Sequence, residues 1–151
     1  MNLKELVGSG DRIGLVTAPV AILGIAANVV WPEVFRVGGP AEPLRLVSIV
    51  VLAIGLVAWL WSAALILVNV PRHALITGGP YAVVRHPLYT AVGLLVLPWA
   101  GFLLDTWVGL VIGVTLYVAS RVFSRDEEAS LARAFGGAWR AYSAKVLLPW
   151  V

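Results

Sequence analysis

Four long apolar segments set the possible folds of this 151-residue chain. They lie at about 13–31, 44–70, 88–104 and 107–123, and each is long enough to cross roughly 30 Å of hydrocarbon as a helix. Lipid offers no hydrogen bonds to the backbone, so such segments must pair their own peptide groups. The chain is therefore predicted to be an all-α, polytopic integral membrane protein with about four transmembrane helices.

Composition supports the same prediction. The chain is 60% hydrophobic and 13% charged, with a mean hydropathy of +0.92. A soluble domain carries about 25% charged residues, so this protein is expected to be surrounded by lipid. Its length predicts a single domain over residues 1–151. The first apolar segment is longer than the apolar core of a secretory signal, and we expect it to be retained as a helix.

Basic residues are divided unequally between the two sides that four spans would create. One side holds nine Lys and Arg residues, whereas the other holds only Arg36 and Arg45. Because basic loops stay in the cytoplasm, both termini and the 71–87 loop are predicted to be cytoplasmic. The nine are Lys4, Arg12, Arg72, Arg85, Arg121, Arg125, Arg133, Arg140 and Lys145.

Several classes of function are not indicated by the residues present. Cysteine is absent, so neither disulfides nor thiolate chemistry are expected. The only histidines are His73 and His86, too few to predict a metal site. The basic residues are scattered along loops and one tail, a distribution that favours contact with membrane lipid headgroups and does not indicate nucleic acid.

After Arg125 the chain changes from uniformly apolar to amphipathic. Five apolar residues recur at spacings of 4, 4, 3 and 4, which is one face of a helix. This pattern predicts an amphipathic helix lying on the membrane interface, with a break or bend at Gly136 and Gly137. The five residues are Leu131, Phe135, Trp139, Tyr142 and Val146.

Two polar clusters flank the last two apolar segments. His86 lies 19 residues before Asp105, and Glu127 lies 21 residues after Thr106, so a tight helical hairpin returns both to one membrane face. Separately, each cluster is typical of interfacial anchors or of a helix start. Together they predict a pocket that carries both charge signs and suits a zwitterionic ligand. Its lipid side would be open to a lipophilic second reactant. The clusters are Arg85, His86 and Tyr89, and Arg125, Asp126, Glu127 and Glu128.

The stretch HALITGGPYAVVRHPLY at 73–89, followed by EEASLARAFGGAWRAY at 127–142, resembles the isoprenylcysteine carboxyl methyltransferase and phospholipid methyltransferase superfamily. The resemblance covers residues 73 to about 149, which would be the catalytic half. It implies a small all-α membrane enzyme that uses S-adenosyl-L-methionine. It further implies methyl transfer at the cytoplasmic interface to a lipophilic acceptor, either isoprenoid or phospholipid-like.

The resemblance also implies roles for individual residues. Independently of the resemblance, the residues themselves make Arg85, His86 and Glu128 the catalytic candidates, because His86 and Glu128 are the plausible bases near the pocket. Arg121 and Arg125 are the candidates for binding the acceptor, because they flank Phe123, where prenylcysteine enzymes carry a substrate-binding arginine. The implied cofactor-binding residues are His73, Ala74, Leu75, Ile76, Tyr81, His86, Pro87, Leu88, Tyr89, Glu127 and Glu128.

The chain departs from the family pattern at Ile66, Ala91, Phe123 and Trp139. These departures motivate a second hypothesis, a non-catalytic membrane scaffold or lipid-binding protein of the same fold. Within the first hypothesis the sequence is compatible with a prenylcysteine carboxylate, phospholipid amine, fatty acid, phenol or thiol as acceptor. It is equally compatible with His86 acting as a base or only as a cofactor ligand, and with any oligomeric state.

Overall fold

The computed structural model describes residues 10–38 and 42–148, and this part of the chain is almost wholly helical, with no β-strand. Lys4, one of the nine basic residues counted above, lies outside the described residues. Short helical turns occupy Pro32–Phe35, Val70–Arg72 and Gly79–Ala82. The longer helices are α1 (Gly10–Val30), α2 (Glu42–Asn69), α3 (Pro87–Leu103), α4 (Val108–Phe135) and α5 (Gly137–Ser143).

Three of these helices, α1, α2 and α4, are long and apolar enough to cross a membrane. The chain is thus an all-helical integral membrane protein with three candidate spans in its described part, where the sequence predicted four. Helix α3 lies where the predicted third span does but is shorter than the other three. It begins only at Pro87 and ends at Leu103, because the polar site segment precedes it and a tight turn follows.

Helix α3 departs from regular α geometry in its middle. Residues Ala91–Val96 are π-helical, immediately before the turn that contains Pro98. Proline has no amide hydrogen, so the ordinary hydrogen bond to the residue four positions earlier cannot form. A wider helical turn is one way for the backbone to accommodate that loss.

Helices α3 and α4 approach one another closely because glycines face each other across the contact. A Cβ atom on Gly113 would overlap the carbonyl oxygen of Gly93, and one on Gly109 would lie 2.7 Å from the Cα of Gly101. Gly55 of α2 approaches α3 in the same way. Small residues permit this packing where no hydrophobic effect drives helices together in lipid.

Replacing Gly113 by alanine is expected to lower the free energy of unfolding by about 1–3 kcal/mol, since the added methyl has no room. Chemical unfolding in detergent measures the effect. Gly14→Ala is the matched control, because a Cβ at Gly14 meets no atom within 4 Å. Equal stability of the two variants would contradict the close packing of α3 on α4.

The turn between α3 and α4 is held against the 31–38 connector at one end of the bundle. Arg36 Nε donates to Asp105 Oδ2 at 2.9 Å, and the amide of Gly38 donates to Asp105 Oδ1 at 3.0 Å. Thr106 Oγ1 donates to Asn28 Oδ1 at 2.8 Å. These contacts fix the geometry of the hairpin whose open end carries the polar clusters.

The tail differs from the predicted interfacial helix. Helix α4 continues to Phe135, then Gly136 adopts φ +50° and ends it. Helix α5 folds back, so Trp139, Tyr142 and Val146 are only 6–7% exposed and pack on protein. The predicted break at Gly136 therefore redirects the apolar face into the molecule and away from lipid.

Candidate functional site

The two polar clusters meet at the open end of the α3–α4 hairpin. His86 immediately precedes α3, and Glu128 lies two turns before the end of α4. The Nε2 of His86 is 3.1 Å from Oε1 of Glu128, and Arg85 Nη1 donates to Oε2 of the same carboxylate at 3.2 Å. One carboxylate thus holds two neighbouring side chains that lie more than 40 residues away in sequence. We call this end of the bundle the site end.

The site end contains buried polar atoms that no described residue satisfies. Arg85 Nε and Ser124 Oγ are both buried without a hydrogen-bond partner. Ser124 lies one helical turn before Glu128, on the same face of α4. Buried polar groups almost always have partners in folded proteins, so these two atoms are exceptions that the described residues do not satisfy.

A cleft lies beside the triad of Arg85, His86 and Glu128. Its cavity volume is about 140 Å³, and it is partly open at its mouth. Its wall carries both charge signs and several aromatic rings. The predicted site residues that line it are Ala74, Leu75, Ile76, Tyr81, Arg85, His86, Leu88, Tyr89 and Glu127.

Five predicted residues do not line this cleft. Glu128 contacts His86 and Arg85 but does not itself line the cleft. Pro87 lies on the opposite side of the same segment. His73 is exposed, with φ +51° at the turn that ends α2. Arg125 is exposed, whereas Arg121 is half-buried two turns before Glu128 on nearly the same face of α4.

Six lining residues were not predicted as ligand contacts. They come from the end of α2, the end of α4 and helix α5, and all are apolar or aromatic. The periodic apolar face of the tail was visible in sequence, but the reversal at Gly136 that turns it toward the cleft was not. The six are Ile66, Val70, Leu131, Phe135, Trp139 and Tyr142.

The segment between α2 and α3 is shaped by a close contact at Gly79. Gly79 has φ +61°, and a Cβ there would lie 3.0 Å from the indole of Trp61. Both the left-handed conformation and the aromatic neighbour require glycine. Trp61 of α2 thereby braces the segment whose other face carries Tyr81 and His86.

Two tyrosines in the cleft wall remain protonated near neutral pH. Burial raises the pKa of Tyr142 to about 12. Burial, assisted by the negative charge of Glu127, also raises the pKa of Tyr81. The Tyr142 hydroxyl donates to the backbone oxygen of Tyr81 at 2.9 Å. These two phenols therefore act as hydrogen-bond donors and aromatic walls of the cleft.

An apolar groove lies on the opposite side of the segment that forms the cleft wall. It has a volume of about 630 Å³, is largely open to the surroundings, and lies between α2, the 79–84 stretch and the first half of α3. None of its described lining residues is charged. Those that matter below are Trp61, Pro80, Val83, Pro87, Thr90 and Leu95.

The cleft is suited to a zwitterionic ligand that also carries a planar ring. Arg85 is positioned for an anionic group, and Glu127 for a cationic one. The rings of Tyr81, Tyr89 and Trp139 offer flat faces for stacking and for a cation. Over residues 10–38 and 42–148, no group of three or more histidine or acidic side chains could hold a metal ion.

Comparison with known proteins gives one family match. A family model described as "Isoprenylcysteine carboxyl methyltransferase (ICMT) family" matches residues 41–133. The matched region includes α2, the site segment, α3 and nearly all of α4, and stops before α5. No curated protein and no solved structure gives a significant match.

Proposed function

Because the chain belongs to the isoprenylcysteine carboxyl methyltransferase family, we propose that it transfers a methyl group from S-adenosyl-L-methionine to a lipophilic acceptor. The observation that carries this proposal is the arrangement of two cavities around one segment. A cleft of mixed charge lies on one side of residues 79–91 and an apolar groove on the other. The mixed-charge cleft suits a polar methyl donor, and the apolar groove suits the apolar part of a lipophilic acceptor.

The residues of the cleft fit S-adenosyl-L-methionine. When bound, this cofactor supplies a methyl group activated by a positively charged sulfur. Arg85, the arginine of the cleft wall, is suited to donate to the cofactor's carboxylate. Glu127 is the carboxylate of the cleft wall, suited to accept from its ammonium group. Tyr89 and Trp139 provide aromatic faces for the adenine ring or the sulfonium.

Within this proposal Glu128 orients the other two members of the triad. A hydrogen bond from Nε2–H of His86 to Glu128 leaves Nδ1 as a proton acceptor. An acceptor carboxylate is already ionised at neutral pH, whereas an amine, phenol or thiol must lose a proton, and His86 is the group placed to take it. The aromatic walls are suited to limit the access of water to the reacting atoms.

Arg121 is the stronger of the two candidates for binding an anionic acceptor head. It lies on the face of α4 that carries Ser124 and Glu128, whereas Arg125 is exposed. An arginine in an otherwise apolar segment is costly in lipid and normally serves a ligand or partner. Replacing Arg121 by glutamine should therefore weaken the binding of an anionic acceptor. Arg125→Gln is the matched comparison, and equal effects of the two variants on acceptor binding would oppose this assignment.

The apolar groove is proposed to hold the chain of the acceptor. Trp61→Ala is expected to raise the acceptor KM about fivefold to tenfold by removing apolar contact area, a larger effect than on affinity for S-adenosyl-L-methionine. Trp59→Ala is the control, since Trp59 is a neighbour on α2 that lines neither cavity. A rise in KM of the same size in both variants would argue against the groove.

The site end is proposed to face the cytoplasm. Eight basic residues of the described part lie on that side of the predicted topology, and Arg12 pairs with Asp126 at 3.1 Å, so α1 begins at the site end. Because the chain has no cysteine, single cysteines report the side directly. Ala129→Cys, at the site end, should react with an impermeant thiol reagent only in opened cells. Glu33→Cys, at the other end, should react in intact cells as well. The reverse pattern would show that the site end faces outward.

The test of the proposed function has two parts. Calorimetry measures binding of S-adenosyl-L-methionine to the purified protein in detergent. Mass spectrometry follows an isotopically labelled methyl group into the lipid extract of membranes with and without the protein, and identifies the acceptor. Donor binding and a protein-dependent labelled lipid are expected. Failure of both would support the non-catalytic scaffold or lipid-binding alternative.

A further inference from the structure

We infer that residues 137–148, here called the strap, close the cofactor cleft and must swing away at Gly136 for donor to enter and product to leave. The inference rests on the proposed function. It concerns how the cleft is reached, and it follows from the contacts that hold the strap in place.

The strap forms a wall of the cleft. Trp139 and Tyr142 both line it, and each is only 7% exposed because each packs against protein on several sides. Their partners include Leu75 and Tyr81 on the facing segment. Lifting the strap would therefore uncover the aromatic side of the cleft along its length.

The strap is attached to the facing segment by three hydrogen bonds, all to backbone carbonyls of consecutive residues. The Tyr142 hydroxyl donates to Tyr81 at 2.9 Å. The amides of Leu147 and Leu148 donate to Ala82 and Val83 at 3.2 and 2.8 Å. A small number of neutral hydrogen bonds and one apolar cluster can open on the timescale of catalytic turnover.

The other end of the strap begins at a glycine pair. Gly136 has φ +50° and ψ −114°, in the left-handed half of conformational space that glycine populates readily. A Cβ at Gly136 or Gly137 would meet no atom within 4 Å. The backbone at this joint is therefore uncrowded by side chains, whereas α4 before it is a continuous helix of 28 residues.

The remaining walls are less able to move. Helices α3 and α4 are interlocked through Gly93 and Gly113, and the 73–86 segment is held at both ends by membrane helices. A zwitterionic ligand cannot approach through lipid or the apolar groove, because unpaired charges are costly to place in hydrocarbon. The mouth of the cleft is only partly open, and lifting the strap is the movement that widens this path from water.

The test locks the strap with a disulfide. The double variant Ala82→Cys, Leu147→Cys joins two exposed positions already linked by a backbone hydrogen bond, and no native cysteine competes. Exchange of isotopically labelled S-adenosyl-L-methionine is followed by dilution, before and after oxidation confirmed by mass spectrometry. We expect exchange at least tenfold slower in the oxidised protein, restoration by reductant, and no change in either single-cysteine variant.

A second variant loosens the strap. Tyr142→Phe keeps the ring but removes the hydroxyl that bonds Tyr81, so donor should dissociate about fivefold faster. Tyr117→Phe makes the same chemical change outside the strap and should leave the rate unchanged.

The outcomes separate two conclusions. Equal exchange rates in the oxidised and reduced double variant, with wild-type rates in Tyr142→Phe, would overturn the strap as a gate while leaving the proposed function intact. Absence of donor binding even to the wild-type protein would overturn both. Slow exchange only in the oxidised form supports the gate.

Discussion

Glu127→Ala protein is expected to bind S-adenosyl-L-methionine at least tenfold more weakly than the wild type, a loss of at least ~1.4 kcal/mol. Glu127 lines the mixed-charge cleft, and a carboxylate–ammonium hydrogen bond is worth about 1.5–3 kcal/mol. His86→Ala is expected to have an effect of similar size, because the imidazole forms the neighbouring part of the same wall. Calorimetry in detergent measures both affinities.

Glu33→Ala provides the matched control for Glu127→Ala. Glu33 is an exposed glutamate of the Pro32–Phe35 turn, at the end of the bundle that holds Asp105. It should leave donor affinity unchanged. Wild-type affinity in both His86→Ala and Glu127→Ala would remove the cofactor site from this cleft.

Glu128→Ala is expected to slow methyl transfer about a hundredfold, a larger effect on rate than on donor affinity. This single carboxylate accepts from Arg85 and contacts His86, and its removal would leave a guanidinium that is only 23% exposed without its partner. Losing two hydrogen bonds to a charged group corresponds to roughly 3 kcal/mol. The measurement is single-turnover transfer of labelled methyl, set beside the donor Kd of the same variant.

Glu128→Gln separates orientation from charge. The amide oxygen can still accept from Arg85, but the amide nitrogen cannot accept from a protonated Nε2 of His86. Its rate is therefore expected to lie between those of the wild type and Glu128→Ala. A Glu128→Ala enzyme with wild-type turnover would show that the triad is only structural.

The parts of the fold that follow from local properties were predicted well. The expected spans at 13–31 and 44–70 correspond to α1 at Gly10–Val30 and α2 at Glu42–Asn69. The convergence of His86 with the acidic cluster also follows from local quantities, since a fixed rise per residue and a short turn determine where a hairpin ends. Helix α4 was predicted too short, because its last turns are polar and no longer resemble a membrane span.

The parts that depend on helix rotation and on single backbone torsions were not predictable from pattern. Adjacent residues point about 100° apart on a helix, so which of Glu127 and Glu128 faces the cleft depends on how α4 packs against α3. The direction of the tail depends on one left-handed residue, Gly136. No sequence pattern indicated that Trp61 lies beside Gly79 and lines the groove, because both depend on how α2 packs against the 79–84 stretch.

By itself the sequence determined that this chain is helical, lies in a membrane and carries its polar residues to one end of a hairpin, because hydropathy, length and helical rise act locally. Only the tertiary structure decided which carboxylate faces the cleft, which one braces His86 and Arg85, and that the tail folds over the opening. These features depend on packing between segments that are distant in sequence. The glycine contacts between α3 and α4 fix the rotation of α4, and the turn at Gly136 fixes the direction of the tail, whereas the residue pattern is compatible with several arrangements.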